Sequence, residues 1–183
     1  LNELGFNVDF APVADVTTGS DENPMKLRSF SSDPERCASM VSVSVGALQD
    51  GGVAACLKHF PGYGTATADD HNGSVSLDRT LEQLEQTEFV PFSAGIGKGA
   101  YFVMVSHLSV PAVTGDDTPA DLSEKLVTEL LRNTLHFQNV VITDAHNMGS
   151  IAQNYTPAEA AVAALRAGVD MVLMPQDLQE AYD

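Results

Sequence analysis

Five short apolar runs most limit the folds open to this chain: FNVDFAPV (6–13), VAACLKHF (53–60), YFVMVSH (101–107), NVVITDA (139–145) and VDMVLMP (169–175). Each is short and almost continuously apolar, the pattern of a strand covered on both faces. Segments of helical period separate them. Residues 34–49 follow Asp33 and place Cys37, Met40, Val41, Val45 and Leu48 on one helical stripe, which Gly51 and Gly52 end. Periodicity is weaker over 80–96, through Leu81, Leu84 and Phe89, while Ser123 can cap a helix carrying Leu126, Val127, Leu130 and Leu131. The sharpest boundary is Thr156-Pro157-Ala158-Glu159, a capping box with proline at the first helical position, opening an alanine-rich helix that runs to Gly168.

Strands alternating with helices predict a parallel α/β fold. Units of this size fit either an open doubly wound sheet or a (β/α)8 barrel, whose usual length is about 250 residues. The chain has 183 residues, starts almost directly in a strand and ends just past another. The expectation is therefore a (β/α)8 TIM-type barrel, incomplete in this chain, with about five βα units and with the first strands and the end missing.

Composition narrows the partners. Twenty-five acidic residues against nine basic ones give a formal charge of −16, which argues against a nucleic-acid backbone or an anionic membrane surface. No apolar run approaches the roughly 20 residues that span a bilayer, and the first ten residues show neither a basic n-region nor a signal-like apolar stretch. Cys37 and Cys56 lack metal-site spacing and read as small buried apolar residues, with a disulfide between them left open and the redox compartment with it. Localisation and oligomeric state are not legible.

Reactive groups in parallel α/β folds lie at the carboxyl ends of strands. Here those ends are polar: Asp15, Lys58 with His59, His107, Asp144 with His146, then Met174 and Pro175. Asp144 follows Val140, Val141 and Ile142, so its carboxylate emerges from an apolar interior, as either a nucleophile or the cap of a following helix. Lys58 and His59 precede a Pro-Gly turn; neighbouring strand residues point oppositely, so both reach one pocket only through a twist or bulge, and His59 also fits a buried histidine satisfied by backbone. The loop from Gly64 to Gly73 holds Asp69, Asp70 and His71. Extended, it sets Asp69 and His71 on one side, where the carboxylate can fix the imidazole for proton transfer; a solvated loop fits the same residues. His59, Asp69 and His71 also form a possible metal set, although no helical metal-ligand spacing accompanies them. Arg28 suits either a ligand hydroxyl or a surface ion pair, and Asp15 a structural acceptor for loop backbone.

FAPVADV, RSF with SDP after it, KHFPGYG followed by ADDH, VITDAHNMGSI and AGVDMVLMP stand in an order that resembles glycoside hydrolase family 3, in its β-N-acetylglucosaminidase branch. The resemblance implies a single partial catalytic barrel domain over 1–183 and a retaining hydrolase that needs no metal or organic cofactor and acts on a carbohydrate. It implies Asp144 as nucleophile, His71 as acid/base with Asp69 as its partner, and Arg28, Lys58 and His59 as residues that hold sugar hydroxyls. The expected substrate is a terminal β-linked N-acetylglucosamine, as in cell-wall muropeptides or chitooligosaccharides. Alternatives are a catalytically incomplete carbohydrate-binding barrel fragment and a β-glucosidase-like member of the family.

Three departures stand out. Tyr63 occupies a position where the family commonly has histidine, Asp70 lies between the dyad residues where a neutral residue is usual, and the family's Gln-Glu-Gly-Gly-like segment has no counterpart.

Overall fold

The computed structural model describes residues 1–17, 23–64, 66 and 74–183. Five strands form one sheet in the order β1 to β5: Val8–Asp9, Ala54–Phe60, Phe102–Val105, Val140–Ala145 and Met171–Leu173. Every neighbouring pair is parallel. A doubly wound sheet reverses its strand order at a switch point, whereas a barrel adds each strand beside the last. The unbroken order selects the barrel type, and the sheet is a half-barrel with helices between its strands.

The connecting helices are α1 (Pro34–Asp50), α2 (Leu81–Gln86), α3 (Phe89–Gly97), the single turn α4 (Pro111–Thr114), a π-helix (Lys125–Thr134), α5 (Gly149–Ala152), α6 (Pro157–Ala167) and α7 (Leu178–Tyr182). Local chemistry explains their ends. Asp33 accepts the amides of Glu35 and Arg36 at the start of α1, and Gly51 follows its last residue. Thr156 and Glu159 make the expected capping box, and Gly168 closes α6 at φ 107°.

Two expectations need correction. Met40 is not on the buried stripe of α1, which runs through Cys37, Val41 and Val45 at four-residue spacing and leaves Met40 turned outward. Ser123 does not cap the next helix with its hydroxyl; its backbone carbonyl instead accepts from the amides of Leu126 and Val127.

The strands alternate. Ala55, Leu57, Val103, Val105 and Val141 are buried in the main core with Val41, Val45, Phe92, Leu126 and Ala160 from the helices. Cys56, Met104 and Ile142 pack on the opposite, inner face with half-buried Phe10, Phe102 and Leu173. With a period of two, Lys58 and Asp144 continue the inner rows begun by Cys56 and Ile142. Among the described residues, no helix is long and apolar enough to cross a membrane.

Candidate active site

At the carboxyl end of the sheet, the segment after β1 meets the end of β2 around one carboxylate. Asp15 is fully buried and accepts from the backbone amides of His59 (3.2 Å) and Tyr63 (2.8 Å) and from His59 Nδ1 (2.8 Å). An ionised carboxylate only accepts, so Nδ1 carries the imidazole proton and Nε2 presents its lone pair. Arg28 meets that lone pair, with a guanidinium nitrogen 3.4 Å from His59 Nε2. The hydroxyl of Ser29 donates to the Asp15 carbonyl at 2.5 Å, tying the arginine loop to the same point. Asp15 is thus the structural acceptor expected of it, and Arg28 and His59 come together.

The irregularity expected at Lys58 and His59 is present: pairing of β2 with β3 shifts register between Leu57 and Phe60, and the Lys58–His59 peptide bond is cis. Tyr63 stands edge-on to the His59 ring, with centroids 5.6 Å apart. Beneath the turn lies Glu88, fully buried and paired with Arg79 at 3.3 Å. Burial pushes its carboxyl above the usual range, opposed by the Arg79 charge.

The turn depends on a close backbone approach. A Cβ on Gly64 would lie 1.6 Å from the carbonyl oxygen of Val16, which no rotamer change relieves. Gly64→Ala in the full natural chain is expected to cost about 2–4 kcal/mol, because one of the two segments must move. Denaturant unfolding measures this; parental stability would mean that the segments do not touch.

Asp144, half-buried at the end of β4, accepts the Ala145 amide on Oδ1 at 2.8 Å. It caps no helix, since α5 begins at Gly149 with Met148 before it. The Cys56 thiol reports the charges around the inner face: burial pushes it up to about 12, with Lys58 pulling it down and Asp144 and Asp9 adding to the rise. Lys58 and Asp144 stand on the inner rows of β2 and β4. Cys37, near the Asp15 carbonyl, is pushed up to about 11 by burial and then by the Asp15 charge; both cysteines are free and buried. Asp69 and His71 lie outside the described residues, and with them the proposed dyad and the His59, Asp69, His71 metal set.

Behind Asp144 stands a cluster that sequence reasoning noticed only in part. His107 and His146 were legible as polar strand ends, but Asp121 was not. His146 Nε2 lies 2.8 Å and His107 Nδ1 3.1 Å from Asp121 Oδ2, with all three side chains buried. Burial works to raise the Asp121 carboxyl, yet the charges and hydrogen bonds of the two imidazoles outweigh it and hold it below the usual range. Among the described residues, these three form the one group whose donor atoms are close enough to surround a cation.

Comparison with known proteins gives the family. The chain is 33% identical over 194 residues to β-hexosaminidase A of Pseudoalteromonas piscicida, a match covering 100% of this chain and 32% of that protein. It is 36% identical over 178 residues to β-hexosaminidase LpqI of Mycobacterium tuberculosis, covering 94% of this chain and 45% of that one. A solved glycoside hydrolase family 3 β-N-acetylglucosaminidase from Paenibacillus superposes with a TM-score of 0.92 at 37% identity, over 95% of this chain and 33% of that one. The chain thus spans about a third to a half of the curated relatives it matches. The model of the glycosyl hydrolase family 3 N-terminal domain matches residues 1–183, and with the half-barrel fold and its motifs this places the chain in glycosyl hydrolase family 3.

Proposed function

We propose that the natural protein containing these residues is a retaining β-N-acetylhexosaminidase that removes terminal β-linked N-acetylglucosamine from muropeptides or chitooligosaccharides. The observation that carries this reading is the placement of Lys58 and Asp144 on the inner rows of the half-barrel, at the carboxyl ends of β2 and β4. The named relatives support the hexosaminide over the glucoside.

In this reading Asp144 attacks the anomeric carbon and forms a glycosyl ester while the aglycone oxygen leaves with a proton from His71. His71, held by Asp69, then takes a proton from water as the water opens the ester with net retention. The Arg28 guanidinium and Lys58 ammonium are donors for sugar hydroxyls, and His59 is kept in one tautomer by Asp15. Residues 1–183 form a single partial catalytic barrel domain.

Aryl N-acetylglucosaminides and aryl glucosides given in parallel to the full natural chain test the substrate class, with hydrolysis expected for the former. His71→Ala is expected to slow substrates with poor leaving groups by about 10²- to 10⁴-fold, and activated aryl glycosides far less, because only the former need a general acid. Equal losses on both would remove His71 from that role.

A further inference from the structure

Asp121 sits in a short 3₁₀ turn, Ala120–Leu122, and its amide donates to the Ser106 carbonyl at 3.2 Å, anchoring it to the segment just after β3. Its carboxylate then meets two imidazoles that lead to β4. His146 bonds it directly through Nε2 at 2.8 Å. His107 faces it through Nδ1 at 3.1 Å and donates Nε2–H to the carbonyl of Ala145 at 3.1 Å. The two positions so held, 145 and 146, immediately follow Asp144.

A proton or a metal can occupy such a gap, and distances choose between them. Two ligands of a tetrahedral zinc ion, each about 2.0–2.1 Å from the metal, stand roughly 3.3 Å apart. Both separations, 2.8 and 3.1 Å, are shorter than that, His146 Nε2 making a hydrogen bond and His107 Nδ1 an ion-pair contact with Asp121 Oδ2. Histidine ligands also almost always donate their second ring nitrogen to a partner, yet among the described residues His146 Nδ1 is buried without a hydrogen bond. With Nε2 donating to the Ala145 carbonyl and Nδ1 3.1 Å from Asp121 Oδ2, His107 is placed to offset the buried carboxylate charge.

We propose that Asp121 is a positioning residue for Asp144, acting through His107 and His146 on the backbone that orients its carboxylate. The inference rests on the reading of Asp144 as the reacting carboxylate. The linkage is short. The Ala145 amide holds Asp144 Oδ1 at 2.8 Å, the Ala145 carbonyl is held by His107, and the His146 amide donates to the Leu173 carbonyl on β5 at 2.9 Å. Residues 145 and 146 are therefore pinned from β3 and from β5, and the Asp144 carboxylate inherits that orientation. Among the described residues, the Asp144 carboxylate accepts no other hydrogen bond.

The test compares Asp144→Asn, Asp121→Asn and the charge-balanced double variant Asp121→Asn/His107→Gln in the full natural chain, with kcat and KM on an aryl N-acetylglucosaminide. A misplacement near 1 Å is worth up to about 100-fold in rate, so Asp121→Asn is expected to lower kcat about 10- to 100-fold with KM within about twofold. The double variant is expected to match it, since both break one linkage and add less than their product. It also carries the test if the single variant does not fold, because it leaves no unpaired buried charge. If Asp144→Asn abolishes turnover while both Asp121 variants keep kcat within about twofold, or change only KM or melting temperature, the positioning role is overturned and the nucleophile reading stands. If Asp144→Asn retains turnover, the nucleophile reading itself falls. Stoichiometric zinc in the purified protein that is lost in Asp121→Asn would overturn the proposal in favour of a metal site.

Discussion

Asp144→Asn is expected to lower kcat for an aryl N-acetylglucosaminide by about 10⁴-fold or more in the full natural chain, with little change in stability. The two effects separate because the swap is nearly isosteric. The Ala145 amide that donates to Oδ1 at 2.8 Å is met equally well by the carbonyl oxygen of an asparagine, and the side chain is only half-buried. What the amide lacks is the charge and nucleophilicity needed to form a glycosyl ester, and losing a covalent nucleophile typically removes most of an enzyme's acceleration. A slow fluorinated glycosyl fluoride, followed by peptide mass spectrometry, locates the attacking group independently, with the label expected on Asp144. Near-parental hydrolysis by the variant, or a label elsewhere, would refute the assignment.

The five strands were legible because a strand buried on both faces writes itself as a continuous apolar run. Their extents were not, for reasons visible in particular residues. Only Val8–Asp9 of the run 6–13 pairs regularly, because Pro12 has no amide to give, although the Ala11 and Pro12 carbonyls still accept from Cys56 and Lys58. The last run stops after Leu173, where Met174 adopts a positive φ of 45° and Pro175 follows.

Barrel and doubly wound sheet share the same local pattern and differ in which strands pair, which local pattern does not record. The candidate site divides in the same way. Lys58, His59 and Gly64 stand in one contiguous motif and can be read together. Asp15 and His59 are 44 residues apart, and Asp121 and His146 are 25 apart, so their hydrogen bonds exist only once the strands are assembled. Asp121, between Ala120 and Leu122, carries no periodicity that separates a buried acceptor from a loop aspartate.

Asp15→Ala is expected to be the most destabilising substitution near the site, at about 3–5 kcal/mol, because it strands the amides of His59 and Tyr63 and the His59 ring N–H without an acceptor in a buried place. For a domain of this size that corresponds to a melting temperature lower by roughly 10 °C. Asp15→Asn is the more informative variant. Its carbonyl can serve the Tyr63 amide at small cost, but its NH₂ then faces His59 Nδ1 and favours the tautomer with the proton on Nε2. That proton points at the Arg28 guanidinium, which sits 3.4 Å from Nε2 and has only donors to offer. Arg28 and His59 can no longer face one another, and the proposed hydroxyl contacts of both are displaced together. The expected result is a kcat/KM about 10- to 100-fold lower for Asp15→Asn, at a stability cost of about 1–3 kcal/mol. In a double-mutant cycle with Arg28→Ala, the two losses are expected to overlap instead of adding. Full additivity, or a kcat/KM unchanged by Asp15→Asn, would show that the buried carboxylate supports the turn without governing the imidazole.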